Sequence, residues 1–448
     1  MTAAPALVDP AGAATRWAVW ALASAGKFFE GMVVFLGAFT LPVVAEQFEL
    51  GGLQQGALRA ASLVGILVGA VVLGSLADRL GRRPLFIAAM GLLVFGLALV
   101  VLAPDPLWVG VGLLLIGLAL GADYPVAHLV IAECMPVAIR GRMVLSAFGF
   151  QAVGVLLGTA LAALLLPQGH EPVSWRLLYL LPLPAVVLVL LGRLLLPRHS
   201  PWLLGRADLQ LARLSLSPGA GSGASGWLLL QPPLRRATAL ACLPWFLQDL
   251  ATYGIGLSLP LLLAAANAAD RSALGASVLI DLMLVLGISA AIALADRWGR
   301  IPLQITGFIG CAAGLALAGL ALGPMAPGLP LLVLGLALFQ FMTNLGPNAQ
   351  TYLLAGELFP TPLRGVGAGL AAAAGKGGAV LTALVCPLVL QQQGAGLLLA
   401  LLACTSVLGA AITWWFRQET RDRDLLASRP PEPNPPPEAA APSSAAPP

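Results

Sequence analysis

The feature that most constrains this chain is the spacing of its charges. Long apolar runs follow one another from Trp17 to Phe416, parted by short turns that carry arginine. An α-helix crosses the hydrocarbon core of a bilayer in about 20 residues. Cutting the chain at charged turns and Pro/Gly clusters gives twelve candidate spans: 17–42, 55–76, 84–103, 107–133, 142–166, 176–196, 237–264, 272–295, 302–322, 329–354, 364–390 and 395–416. Only 10% of the residues are charged and 59% are hydrophobic. A soluble domain carries about 25% charged residues, so the pattern specifies an all-α polytopic membrane protein rather than a fold around one water-shielded core.

Charge asymmetry between loops sets the expected orientation. Arg79, Arg82 and Arg83, Arg140 and Arg142, the 197–236 linker, Arg297 and Arg300, Arg364, and Arg417, Arg421 and Arg423 all fall in alternate loops. The intervening loops hold chiefly Arg176 and Arg271, beside Glu46, Glu49 and Asp105. The positive-inside rule then places both termini and the linker in the cytoplasm, with the protein in a plasma or inner membrane. The first run lacks a basic n-region and continues past signal-peptide length, so it reads as a retained helix.

Several function classes drop out. The net charge of +4 comes from loop arginines, with no pattern for nucleic acid. The five cysteines show no C-x-x-C spacing, which argues against a metal site or a disulfide framework. No nucleophile–base constellation appears and the three histidines are scattered, so an enzyme is not expected.

The chain repeats itself. LADRLGRRP at 76–84 returns as LADRWGRIP at 294–302, and Glu133…Pro136…Arg140-Gly141 returns as Glu357…Pro360…Arg364-Gly365. Parallel six-helix halves joined by a linker imply a pseudo-two-fold axis along the membrane normal, with a site between the halves near the midplane. The expected units are a cytoplasmic segment 1–16, a first half 17–196, a linker 197–236, a second half 237–416 and a disordered Pro/Ala-rich tail 417–448.

The turn Gly74-Ser-Leu-Ala-Asp78-Arg-Leu-Gly81-Arg82-Arg83, with its second copy, resembles the loop signature of the major facilitator superfamily. That resemblance implies a twelve-helix major facilitator fold and alternating access. Gly81 and Gly299 suit a tight turn, and Asp78 and Asp296 suit the capping of a neighbouring helix end. Asp78, Arg82, Glu133, Arg140, Asp296, Arg300, Glu357 and Arg364 are therefore expected to gate the molecule through state-dependent salt bridges rather than to touch substrate.

A charge at mid-membrane depth costs about 2.5–3.5 kcal/mol even on insertion scales, so intramembrane polar residues mark function. The chain has only two lysines, Lys27 and Lys376, and both lie in predicted spans, whereas topology is handled throughout by arginine. GADYP (121–125), Gln151, WFLQDLATYG (245–254), GPNAQTYLLAGELFPTPLRG (346–365) and GKGGA (375–379) resemble the proton-coupled phosphate symporters of the superfamily. Carried over by position, the resemblance implies a substrate pocket of Tyr124, Gln151, Trp245, Asp249, Tyr253, Asn348 and Lys376. It implies proton-coupling carboxylates at Asp123 and at Glu30, where the family usually has Asp. The wider sugar-porter group shares Glu133…Arg140-Gly-Arg and a turn seen here as RHSPWLLGR (198–206).

The chemistry of the set is coherent by itself. Lys376 supplies charge for an anion, and the tyrosines, Trp245, Gln151 and Asn348 donate hydrogen bonds to oxyanion oxygens. A carboxylate at Asp249 would accept from dihydrogen phosphate and reject sulfate, which has no proton to give. A sugar or polyol would satisfy Asp249 equally well. Trp245, Asp249 and Tyr253 lie four residues apart and so share a helix face, although each aromatic is also compatible with plain packing. Gln151 and Asn348 are compatible with interhelical glue, and His128 with a packed neutral ring. Asp281 either pairs with Lys27 or Lys376 or lines a water path. Lys27 sits three residues before Glu30, close enough to pair, and departs from the phosphate symporters in a direction that suits a carboxylated organic anion.

The sequence thus points to a monomeric secondary transporter of a small anion, inorganic phosphate first, driven by the proton gradient without a cofactor and with the bilayer as its other partner. The alternatives are a transporter of sugars or organic acids and a non-transporting sensor on the same scaffold.

Overall fold

The computed structural model describes residues 13–73, 76, 82–135, 139–166, 174–196, 228–265, 270–322, 328–360 and 363–421. They form fourteen α-helices: α1 Ala13–Gln47, α2 Gly52–Val68, α3 Arg82–Leu102, α4 Pro106–Cys134, α5 Arg140–Leu165, α6 Ser174–Leu180 and α7 Leu183–Leu195 in the first half; α8 Pro232–Ala265, α9 Asp270–Trp298, α10 Arg300–Leu320, α11 Leu329–Leu345, α12 Pro347–Glu357, α13 Arg364–Gln393 and α14 Ala395–Phe416 in the second. A π-helical turn, Gly69–Leu73, extends α2. Twelve spans are long and apolar enough to cross a membrane, because α6 with α7, and α11 with α12, each make one span.

Both divided spans part at proline. Pro182 precedes α7, and Gly346-Pro347 separates α11 from α12. Proline lacks the N–H that a continuing helix needs but suits a helix's first turn, so the chain restarts there. The apolar stretch 329–354 reads as one helix by sequence, yet the break aims the first turn of α12 at the molecule's centre. Asp105 starts α4 more conventionally: its carboxylate accepts from the amides of Leu107 and Trp108 at 2.9 and 3.2 Å.

The repeat in the sequence is a repeat in the packing. In the first half α1 packs on α5, α3 on α4 and α2 on α4; in the second half α8 packs on α13, α10 on α11 and α9 on α11. The halves meet through α5 with α9, α2 with α13, and α1 with α8. Small residues let the backbones close up within a half. A Cβ on Gly154 would collide with the carbonyl oxygen of Phe28, so α1 and α5 touch backbone to backbone.

Two boundaries differ from the sequence reading. Residues 232–236, placed in the linker, are the first turn of α8. Residues 417–421, placed in a disordered tail, are held to the body. The Glu419 carboxylate accepts from the amides of Arg300 and Ile301, both at 3.0 Å. It therefore supplies the anionic cap of α10 that had been expected from Asp296. The turn glycine Gly299 has φ of 89°, the conformation for which glycine is suited. RHSPWLLGR and most of the first LADRLGRRP copy, Asp78 included, lie outside the described residues.

Candidate functional site

A small cavity lined by both polar and apolar side chains lies between the halves. Six of the seven predicted substrate residues line it: Tyr124, Gln151, Asp249, Tyr253, Asn348 and Lys376. They come from α4, α5, α8, α12 and α13, so residues separated by up to 252 positions of chain converge on one place only because the two halves face each other. Phe35, Thr252, Leu284 and Asn344 complete much of the wall.

On the second-half wall the Lys376 ammonium donates to Asp249 Oδ2 at 2.9 Å and to the Tyr253 hydroxyl at 2.8 Å. All three side chains are buried. The remaining ammonium proton gives this wall a charged donor beside the Asp249 carboxylate. Beside it, Asn348 donates to Asn344 Oδ1 at 3.0 Å and accepts from Gln248 at 3.3 Å. The break before α12 brings Asn344 and Asn348 one turn apart at this level.

Trp245 departs from the expectation. It is not among the lining residues and stands behind Tyr124, ring centroids 5.6 Å apart. Gly375 seats it: a Cβ there would meet the indole. Tyr352, which sequence reasoning passed over, joins this aromatic layer by packing against Tyr124, His128, Phe148 and Trp245. His128 rests 4.7 Å from the Tyr352 ring and against Gly356, which matches the packed-ring reading.

The first-half wall is arranged differently. Lys27 pairs with Glu30 Oε2 at 2.8 Å, and Gln151 donates to Glu30 Oε1 at 3.2 Å. Glu30 is thus one hydrogen bond removed from the cavity. The Lys27 ammonium lies 3.2 Å from the Tyr124 ring centroid, a close cation–π contact. Asp123 and Tyr124 are neighbours on α4, yet only the tyrosine enters the cavity. Asp123 faces Arg193 of α7, which grips it with both terminal nitrogens at 2.5 and 3.1 Å.

Arg193 is fully buried, also donates to the carbonyls of Phe86 and Leu22, and stacks 3.5 Å over the Phe86 ring. By position near the end of an apolar run it reads as a topological arginine, and no sequence signal distinguishes it from one. Asp281 pairs with neither lysine. Its bond is to Thr159 of α5 at 2.6 Å.

Comparison with known proteins decides the class. Residues 28–428 match the family model described as "Sugar (and other) transporter". The chain belongs to this family. Its fold is that of the major facilitator superfamily: the proton:xylose symporter XylE superposes with a TM-score of 0.77 at 20% identity, covering 93% of this chain and 98% of that one. Among curated relatives, the niacin transporter NiaP of Acinetobacter baylyi is 26% identical, with 80% of this chain and 84% of the relative aligned. The inorganic phosphate transporter 1-11 of Oryza sativa subsp. japonica is 27% identical, with 72% and 68% aligned.

In this transporter the arginine-rich end is closed by a network. Arg142 of the first half bonds Asp296 of the second at 2.9 Å. Arg300 reaches Asp296 at 3.1 Å and clasps Glu357 with two bonds, at 3.1 and 3.2 Å. Thr420 adds a bond to Glu357 at 2.5 Å. Asp296, Arg300 and Glu357 are therefore together in the second half, and Arg142 joins them from the first. Arg364 donates to the Phe359 carbonyl at 3.4 Å, and Arg82 is buried at the start of α3. The side chains of Glu133 and Arg140 lie outside the described residues.

Proposed function

We propose that this transporter is a proton-coupled symporter of a small anion, with inorganic phosphate as first candidate. The observation that carries the reading is the Asp249–Lys376–Tyr253 cluster on the cavity wall. A lone buried ammonium would attract any anion. An ammonium already shared with a carboxylate favours an anion that also brings a proton to donate, as dihydrogen phosphate does. Tyr124, Gln151 and Asn348 stand around the same space and supply donors for the other oxygens.

Proton coupling is assigned to Glu30. It is buried, touches the cavity through Gln151, and is neutralised by Lys27, so a proton and a substrate anion each perturb the same charge set. Moving that set through a closed state costs least when its charges cancel. Asp123, held by Arg193 away from the cavity, is assigned to the same half as a second candidate. The cycle is a rocking of the halves about the cavity, with the arginine-rich end facing the cytoplasm.

A second reading has its own support. Lys27 brings another cation beside Tyr124, and relatives named for niacin and xylose share the family, so an organic acid or a sugar is the competing cargo. Uptake into proteoliposomes separates the two. Labelled phosphate should accumulate under an inward proton gradient, resist excess sulfate and resist sugar or carboxylate competitors. Glu30→Gln should abolish gradient-driven accumulation while sparing phosphate exchange. No phosphate uptake at acidic external pH, with a competitor carried instead, would replace the phosphate assignment.

A further inference from the structure

Asp281 is left unused by the pocket, the lysines and the gate. It sits in the first part of α9, 4% exposed, and Thr159 of α5 is 2% exposed. Among the described residues its hydrogen bond is the one that the Thr159 hydroxyl donates at 2.6 Å, and it has no ion pair. The bond runs from one half of the molecule to the other. Leu284, one turn further along α9, and Val155, one turn earlier along α5, both line the cavity. The Asp281–Thr159 contact is therefore the next layer above the cavity, on the side away from Arg142 and Asp296.

The surroundings matter for what this carboxyl can do. Helix α11 has no titratable residue, and those of α5 are Arg140 and Arg142 at its opposite end. On α10 and α12, Arg300 and Glu357 pair with each other, Cys311 bonds the Phe339 carbonyl, and Tyr352 packs in the aromatic layer. On α8, Asp249 and Tyr253 are engaged by Lys376, while Arg235, Arg236 and Cys242 lie in the helix's early turns. On α9 itself Asp296 and Arg297 lie at the far end of the helix, and among the described side chains no cation pairs with Asp281. An ionised carboxylate sealed here with one hydroxyl donor is strongly disfavoured, whereas the neutral acid with one good hydrogen bond is readily buried.

We infer that Asp281 is a proton-binding site of the transport cycle, and that its bond to Thr159 latches the arginine-poor end of the halves shut when the proton is on. The chemistry is simple. With the halves parted, water reaches the carboxylate and a hydronium ion delivers the proton to a carboxyl oxygen. With the proton bound, the acid is neutral and the helices close over it; loss of the proton to water accompanies reopening. Closure on this side is thereby tied to acidity on the side it faces. The inference rests on the alternating-access reading above, but not on the identity of the cargo.

The test uses the full chain in liposomes with Cys404→Ser and spin labels at Leu164→Cys on α5 and Leu279→Cys on α9, both exposed positions. The label-to-label distance should be short at acidic pH, with a longer population growing as pH rises. Asp281→Asn, which keeps shape and hydrogen bond but cannot ionise, should hold the short distance at every pH. Thr159→Val should enlarge the long population at every pH, and reads the latch independently should the first variant fold poorly. A helix-packing role alone predicts that Asp281→Asn keeps the wild-type pH response, and that result overturns the inference, as does a wild type whose distance ignores pH. Phosphate uptake is measured in parallel. Its absence alongside a pH response lost in Asp281→Asn would remove the phosphate assignment and support the proton site.

Discussion

The two halves carry the same repeat but use their buried cations in opposite ways. In the second half Lys376 ties α13 to α8 through Asp249 and Tyr253, on the cavity wall itself. In the first half the cation beside the cavity, Lys27, pairs three residues along its own helix, and the tie between helices is made elsewhere, by Arg193 and Asp123. Binding and packing coincide in one half and are separated in the other. A substrate that competes for Lys376 must loosen the α8–α13 contact, which turns binding into motion. A proton arriving at Glu30 breaks no ion pair between helices and meets only the single bond from Gln151 of α5, so it can come and go with little movement of the frame.

The largest effect that would break this comparison is expected from Lys376→Met. It strands Asp249 in the interior, and breaking a buried pair in this way costs about 3–5 kcal/mol. Both phosphate binding and thermal stability in detergent should fall together, and loss of only one would show that the second half separates the two roles after all. Arg193→Met should cost stability on the same scale by stranding Asp123. Here the double variant with Asp123→Asn should recover most of the loss while phosphate binding stays near wild type. A double variant that folds but no longer couples uptake to protons would move Asp123 from the frame into the coupling machinery. Lys27→Met should have the smallest effect on stability, since Gln151 still holds Glu30. Its signature is in coupling: with the cation that pairs with Glu30 gone, the dependence of gradient-driven uptake on external pH should differ from that of the wild type. An unchanged profile would count against Glu30.

The helices, the repeat and most of the cavity were legible in the sequence because they depend on depth and period. A residue such as Lys376 or Asp249 in the middle of an apolar run has to point inward, and chain repetition says which helices converge. Rotation was not legible. Helix α4 is apolar on all sides, so nothing in GADYP tells which of Asp123 and Tyr124 faces the cavity; the partner, Arg193, decides it from another helix. Trp245 shares a helix face with Asp249 and Tyr253, yet its bulk is taken up behind Tyr124 by the space at Gly375. Tyr352 went unnoticed because an aromatic two residues past a polar cluster has no distinguishing mark until the break at Gly346-Pro347 turns its helix inward. The tail's first residues looked like the rest of a Pro/Ala-rich segment, although Glu419 finds an unsatisfied helix end.

That last contact sets a limit for anyone attaching a reporter or a purification handle. A fusion joined directly after Phe416 would strip the α10 amides of Glu419 and take Thr420 away from Glu357, loosening the very cluster that Arg300 organises. One joined beyond Arg421, whose guanidinium still reaches the Arg297 carbonyl at 2.8 Å, leaves all of these in place. A few residues of linker length thus separate a passive label from one that biases which way the transporter faces.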